Sequence, residues 1–74
     1  MKIKIKEDFI KLDSLLKFAN AAATGGIAKM MILNKQVLVN NEICLTRGKK
    51  IKPGDKVLVN GEEIEVFSGK ENEN

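Results

Sequence analysis

The stretch Thr24 to Lys29, TGGIAK, carries the residues best suited to chemistry. Thr24 is a good helix N-cap, so Gly25 and Gly26 are predicted to occupy the first turn of a helix. Two glycines there remove side-chain bulk around backbone N–H groups at the positive end of the helix dipole. Lys29 follows about one turn later, on the same face as Gly25. A phosphate could therefore meet free amides and an ammonium group together. The alternative is that the glycines only allow a tight turn between two helices.

This stretch does not match the common nucleotide-binding loops. A Walker loop requires G-x-x-x-x-G-K-[ST] after a strand, whereas Lys29 lies three residues after Gly26 and inside the predicted helix. The dinucleotide fingerprint requires a preceding strand and a βαβ unit, for which the chain has no room. Neither pattern therefore assigns the predicted phosphate to a bound nucleotide.

The other ionisable side chains are predicted to have structural positions and no catalytic role. The sequence has no His, Tyr or Trp, so general acid–base catalysis would need a carboxylate or a lysine, and no group of acids resembles a metal site. Glu63 and Glu65 alternate with apolar residues, which predicts the solvent face of a strand. Asp13 is predicted to help cap the first helix, and Asp55 to accept hydrogen bonds from turn amides. Cys44 is the only cysteine, which excludes an intrachain disulfide and a cysteine zinc site, and it is predicted to lie in a strand without a chemical role.

Length and composition limit the class of protein. A chain of 74 residues forms one domain at most, and 43% hydrophobic with 31% charged residues favours a folded globule. No apolar run is long enough to span a bilayer, and MKIKIKED lacks the continuous apolar core of a signal peptide. Together with the single cysteine, these features predict a cytoplasmic protein.

The charges are distributed unevenly along the chain. Residues 11–56 hold nine Lys or Arg and three acids, a net +6, whereas residues 57–74 hold one Lys and five acids, a net −4. The first ten residues add +1, which gives the total of +3. A basic middle and an acidic end indicate a one-sided basic surface, whose usual partner is a polyanion. The alternative is that the lysines are only solvated.

Apolar spacing predicts a strand followed by two helices. Lys2 to Lys6 alternates lysine with isoleucine, which is typical of a strand at a sheet edge. The first helix is predicted to begin near Leu12 or Asp13 and to end near Asn20. The second is predicted to begin after its Thr24 cap and to stop near Asn34, with an apolar surface broad enough to be buried on two sides.

Two hairpins are predicted after the helices. VLVNNEI at 37–43 and VLVNGEEIEV at 57–66 each indicate strand, tight turn and strand. Between them, TRGKKIKPGD at 46–55 is rich in cations and too interrupted by glycine to be all strand. Its basic group, residues 47–50, is predicted to lie on a loop or sheet edge, and the alternative is a solvated loop without a partner. One core is predicted from both helices and the strands: Ile3, Leu15, Leu16, Ala19, Ile27, Met31, Val37, Val39, Ile51, Val57 and Ile64.

Four motifs in order carry a family resemblance. They are K-L-D at 11–13, T-G-G-I-A-K at 24–29, V-x-V-N at 37–40 and R-G-K-K-I-x-P-G-D at 47–55. Together they resemble the small RNA-binding domain named after ribosomal small-subunit protein S four, also called the αL motif. The likeness is greatest to short stand-alone bacterial members of the YaaA/YbcJ type. It implies an α+β fold in which two helices pack on a small, mainly antiparallel sheet, with RNA held against the helices and an adjacent basic loop.

The resemblance also implies a function and a set of site residues. We expect a monomer without cofactors that binds structured RNA, of ribosomal or transfer type, and does not cleave it. Many family members have an arginine after the Ser/Thr cap, where this chain has Gly25, and short members often have another where it has Thr46, so affinity is expected to be low. The implied RNA-binding residues are Lys11, Thr24, Gly25, Gly26, Lys29, Arg47, Lys49 and Lys50.

The same reading predicts a single domain over residues 1–67 and a flexible acidic tail over 68–74. Two other classes of function stay open. One is a protein–protein adaptor whose basic face docks on an acidic partner. The other is an enzyme, since larger relatives carry this domain beside catalytic domains such as pseudouridine synthases, although this chain leaves no length for one.

Overall fold

The protein is an α+β domain, as its sequence predicts. A computed structural model describes residues 1–69, so most of the predicted tail, residues 70–74, lies outside the described part. In chain order the elements are β1 (Lys2–Ile5), β2 (Ile10–Lys11), α1 (Leu12–Phe18), α2 (Gly25–Leu33), β3 (Val37–Val39), β4 (Glu42–Ile43), β5 (Lys50–Ile51), β6 (Lys56–Val59) and β7 (Glu62–Ser68).

The strands form one main sheet and one short ladder. The main sheet has five strands in the order β1-β7-β6-β3-β4. Only β1 and β7 run parallel, with Ile3 opposite Val66, and the other neighbours are antiparallel. The mainly antiparallel sheet is therefore confirmed. The two remaining strands, β2 and β5, pair separately with Lys11 opposite Lys50, an element that the sequence did not indicate.

Both predicted hairpins are confirmed, and their turns explain them. Asn40 and Asn41 join β3 to β4 with φ of 51° and 73°, and Asn60 and Gly61 join β6 to β7 with φ of 56° and 74°. A tight hairpin turn of type I′ requires positive φ at both central residues, which Asn and Gly tolerate best. The repeated VLVN sequence thus reflects the same turn used twice.

The core lies between the helices and one face of the main sheet. Alternate residues of β1, β3, β6 and β7 point into it, and α1 adds three fully buried leucines. Most of the predicted core is confirmed, with Ala19 only partly buried at its margin. The buried apolar residues are Ile3, Ile5, Leu12, Leu15, Leu16, Ala22, Ala28, Met31, Ile32, Val37, Val39, Ile51, Val57, Val59, Ile64 and Val66.

The prediction that α2 is buried on two sides is wrong. Its inner face is buried, but Ile27, a predicted core residue, is 43% exposed, and Met30 and Leu33 are 61% and 55% exposed. The physical reason is size, because a chain this short has too few elements to cover both sides of a helix. The outer surface of α2 is therefore apolar and open to solvent.

Both helices end on a residue with left-handed backbone. Asn20 follows α1 with φ of 62°, and Lys35 follows α2 with φ of 64°. At α2 the N–H of Gln36 donates to the carbonyl of Met31 over 3.0 Å, which closes the last turn in the manner of a Schellman motif. Within residues 1–69, neither helix is long and apolar enough to cross a membrane.

Candidate nucleic-acid interface

The N-terminus of α2 has two backbone N–H groups that donate to no acceptor in the described part of the chain. Thr24 has extended backbone, and its Oγ1 accepts a hydrogen bond from the N–H of Ile27 over 3.1 Å, so the predicted cap is confirmed. The Thr24 carbonyl accepts from Ala28. Within residues 1–69, the N–H groups of Gly25 and Gly26 have no protein acceptor. They lie at the positive end of a nine-residue helix, and Gly26 is exposed.

The fold gives no steric or backbone reason for either glycine. A Cβ built on Gly25 would meet no heavy atom within 4 Å, and one on Gly26 would meet only Thr24 Oγ1 at 3.8 Å. Neither residue has positive φ. Glycine inside a helix is less favourable than alanine by up to about 1 kcal/mol. The interpretation of the two glycines as turn residues therefore finds no support in the geometry.

The N-terminus of α1 is closed by comparison. The N–H of Leu12 donates to the carbonyl of Lys49 over 2.9 Å, and the N–H of Asp13 donates to the carbonyl of Arg47 over 3.0 Å. The third amide, that of Ser14, donates to the Asp13 carboxylate over 2.8 Å. The N-cap residue is Lys11 and it makes no side-chain cap bond, so Asp13 contributes as an acid of the first turn. Of the two helix starts, only that of α2 can offer amides to a ligand.

The basic loop, residues 46–50, is fixed against the start of α1. Besides the two backbone bonds, the β2–β5 ladder places Lys11 opposite Lys50. Lys50 Nζ lies 4.9 Å from the centroid of the Phe9 ring, and Arg47 Nε lies 4.0 Å from Asp13 Oδ2. Like charges directly opposite each other destabilise a ladder. A bound anion would relieve the repulsion between the two lysines.

The predicted site residues fall into two groups that α1 connects. The first, Lys11, Arg47, Lys49 and Lys50, comes together at the start of α1, and all four residues are exposed. The second, Thr24 to Lys29, lies on α2, which packs against α1. Glu63 and Glu65 of β7 lie elsewhere, because they alternate with buried residues that face the helices and so point to the opposite side of the sheet.

Asp55 joins the turn after the basic loop to the β3–β4 hairpin. Its Oδ2 accepts from the N–H of Lys52 over 2.8 Å and its Oδ1 from Asn40 Nδ2 over 3.1 Å, while Asn40 Oδ1 accepts from the N–H of Lys56 over 3.0 Å. Partial burial raises the pKa of Asp55, but these hydrogen bonds and the charges of Lys52 and Lys49 outweigh it and lower the pKa. The predicted turn role of Asp55 is confirmed.

Sequence reasoning missed several partners of the site residues. The ring of Phe9 under Lys50 and the pairing of Asp13 with Arg47 join residues far apart in the chain, and no local pattern indicates them. Asn40 was recognised as a turn residue only. Its position opposite the Pro53-Gly54 turn depends on how β3 and β6 pair, which a single sequence does not reveal.

Comparison with known proteins agrees with this architecture. A family model described as the S4 domain matches residues 3–67, which include both helices and the basic loop. The chain is 39% identical over 59 residues to the probable ribosome maturation protein RlbA of Bacillus subtilis (strain 168), and the match covers 80% of this chain and 83% of that protein. The chain therefore belongs to the S4 domain family.

Proposed function

We propose that this protein binds structured RNA without catalysing a reaction, in the cytoplasm and as a monomer. The observation that carries the proposal is the pair of unbonded amides at Gly25 and Gly26, next to an exposed Lys29. Membership of the S4 domain family and a relative named for ribosome maturation favour RNA of the ribosome as the target. The proposed contacts are Lys11, Thr24, Gly25, Gly26, Lys29, Arg47, Lys49 and Lys50.

A backbone phosphate would bind at the start of α2. Its oxygens would accept hydrogen bonds from the N–H groups of Gly25 and Gly26. Glycine has no side chain, so both amides are open to close approach. The Lys29 ammonium would add charge one turn further on. The cations around the basic loop would contact neighbouring phosphates. If about three to five phosphates are contacted, log affinity falls with log salt at a slope of roughly −3 to −4.

The chain is better suited to folded RNA than to unstructured strands. It has three phenylalanines and no Trp or Tyr, so it offers few surfaces on which bases can stack. Phe9 lies under Lys50. Phosphate contacts along a helical stem need no such stacking, and they carry little sequence information.

The test is titration of an RNA hairpin with the parent protein, Gly26→Asp, Lys29→Ala and the control Lys2→Ala. An acid at a helix start favours folding through the dipole, so Gly26→Asp should keep its circular dichroism spectrum while placing negative charge where the phosphate binds. Lys29→Ala should lower the salt slope by about one unit. Lys2→Ala removes the same charge from the opposite side of the sheet, so it should change the salt slope less than Lys29→Ala does. If Gly26→Asp folds and binds as tightly as the parent, the glycines are not part of the site.

A second candidate function is a protein–protein adaptor. The observation that favours it is the apolar outer surface of α2, formed by Ile27, Met30 and Leu33, with Lys29 as the charged residue among them. Such a surface fits a protein partner with apolar and acidic side chains. Competition separates the two functions: RNA binding that is salt-sensitive and survives an excess of an acidic protein supports the RNA proposal, and its loss supports the adaptor.

A further inference from the structure

A cavity of about 350 Å³ opens beside the basic loop, between that loop and the β3–β4 hairpin. Its lining includes Glu42 and Ile43 from β4, and Leu45, Thr46 and Lys49 from the segment that follows. The volume is near the lower end of cavities that hold small ligands, about 300–1,000 Å³. The cavity is continuous with the proposed RNA surface, because the carbonyl of Lys49 bonds to the start of α1.

The lining of this cavity is mixed, with polar groups beside two large aliphatic residues that the fold leaves uncovered. Ile43 is 53% exposed and Leu45 is 51% exposed. The half-buried Cys44 between them is held in place, since its Sγ lies 3.6 Å from the Thr46 carbonyl. The aliphatic side chain of Leu45 and the ammonium group of Lys49 line the same cavity, and together they suit a flat ring that carries a phosphate, which is the form of a nucleotide.

Glu42 is the unusual residue in this region. Of the three acids between residues 11 and 56, Asp13 bonds to Ser14 and Arg47, and Asp55 bonds to Lys52 and Asn40. Within the described residues, Glu42 is the one of these three whose side chain has no hydrogen bond or ion pair. Its partner in register is the buried Val39, so Glu42 lies on the helix side of the sheet, at its edge.

An exposed carboxylate in a basic surface weakens binding to phosphates in general, but it can accept hydrogen bonds from a base whose phosphate the neighbouring lysine contacts. A carboxylate accepts hydrogen bonds and cannot donate them. Guanine offers two adjacent donors on its Watson–Crick edge, N1–H and the N2 amino group, which match the two carboxylate oxygens. Adenine and cytosine offer one donor beside a ring nitrogen that is an acceptor, and that nitrogen would face the carboxylate unfavourably.

We propose that the cavity binds one unpaired guanine of the RNA, with Glu42 accepting hydrogen bonds from its N1–H and N2 groups. The Lys49 ammonium pairs with the phosphate of that nucleotide, and Leu45 packs against the ring. This inference rests on the proposed RNA-binding function and adds a base preference to it. Single-stranded loops and bulges are where proteins read base edges in RNA, so the guanine belongs to a loop next to a helical stem.

The first test uses nucleotides and is independent of RNA binding. The ¹⁵N-labelled parent protein is titrated with GMP, AMP, CMP or UMP at millimolar concentration, and amide shifts are followed by NMR. GMP should shift the amides of residues 42–46 and bind about fivefold or more tightly than AMP, the lower end for a bidentate base contact. The preference should disappear in Glu42→Gln, because the amide side chain replaces one acceptor by a donor. No shift at residues 42–46, or the same preference in Glu42→Gln, overturns the inference.

The chain supplies a matched control for this substitution. Glu62 follows the Asn60-Gly61 turn as Glu42 follows the Asn40-Asn41 turn, and Glu62 is also exposed. Glu62→Gln removes the same charge from the equivalent place in the other hairpin. It should keep the GMP preference of the parent. If Glu62→Gln loses the preference as well, net charge is the cause and the assignment to Glu42 is wrong.

The second test separates RNA from free nucleotides as the source of the guanine. Two RNA hairpins differ only in one loop position, guanine or adenine among uridines. The parent should prefer the guanine hairpin about fivefold, and Glu42→Gln should bind both equally and somewhat more tightly. Equal binding of the two hairpins by the parent overturns the proposed RNA base contact even if GMP binds. Loss of GMP selectivity with intact, Gly26-dependent hairpin binding overturns only the base contact and leaves the proposed RNA function standing.

Discussion

Replacing Asp55 by Asn tests how much one carboxylate contributes to the structure beside the basic loop. Asp55 accepts two hydrogen bonds, from the N–H of Lys52 and from the side chain of Asn40. An asparagine has a single acceptor oxygen. One of the two donors therefore loses its acceptor, and the other donates to a neutral oxygen in place of a charged one. A hydrogen bond to a charged group contributes about 1.5–3 kcal/mol when buried, and partial exposure of Asp55 lowers this. We therefore expect Asp55→Asn to lower the free energy of unfolding by about 1.5 kcal/mol.

Thermal unfolding measured by circular dichroism would show this change. For a domain of 60–100 residues, 1 kcal/mol corresponds to about 4–8 °C, so the Tm of Asp55→Asn should be about 6–12 °C below that of the parent. Glu62→Gln is the control, because it removes an exposed carboxylate that has no partner within the described residues. A Tm for Asp55→Asn within about 2 °C of the parent at neutral pH would refute the reasoning.

The pH dependence gives a second check on the same substitution. The hydrogen bonds and nearby lysines lower the pKa of Asp55 in the folded protein below its ordinary value of 3.8, despite the opposing effect of partial burial. A lowered pKa means that the stabilisation is complete above the unfolded pKa and is lost as the pH falls through the folded pKa. The Tm difference between parent and Asp55→Asn should therefore be full at about pH 7 and should shrink towards about pH 2. A difference that stays constant would show that ionisation of Asp55 is not the cause.

Two further predictions concern stability. Leu16 is fully buried between α1 and the sheet, so Leu16→Ala should lower the free energy of unfolding in urea by roughly 2–5 kcal/mol, and an unchanged transition would contradict the assigned packing. Lys35 adopts φ of 64° after α2, a conformation that glycine reaches without steric cost, so Lys35→Gly should raise stability by about 0.5–1 kcal/mol in the same assay. A less stable Lys35→Gly would mean that the lysine side chain makes a contribution larger than the backbone strain.

Local chemistry in the sequence was sufficient to predict most elements. Thr24 defined the start of α2 because its side-chain oxygen has a nearby amide to cap. The Asn-Asn and Asn-Gly pairs defined both hairpins because few residues accept positive φ. These features depend on residues close together in the chain, so a single sequence contains them.

Features that depend on distant residues were not predictable in the same way. The β2–β5 ladder has two residues per strand, too few for any period, and it determines where Lys11 and Lys50 lie. Ile27 has the apolar character of a core residue, and only the absence of a neighbouring element in the described chain leaves it exposed. Cys44 was placed in a strand because apolar residues flank it, but β4 ends at Ile43. The site residues were thus predictable by type and not by arrangement.

The parallel pairing of β1 with β7 has a consequence for how the chain folds during synthesis. β1 leaves the ribosome first and β7 leaves it last of the elements, yet Ile3 and Val66 are neighbours in the sheet. Contacts between residues so far apart form slowly, because the intervening loop must be closed first. The helices and the β3–β4 hairpin can form from local contacts, but β1 stays unpaired until β7 has been synthesised. Lys2 and Lys4 of this strand are exposed, and their charge disfavours pairing of the unpaired strand with other nascent chains.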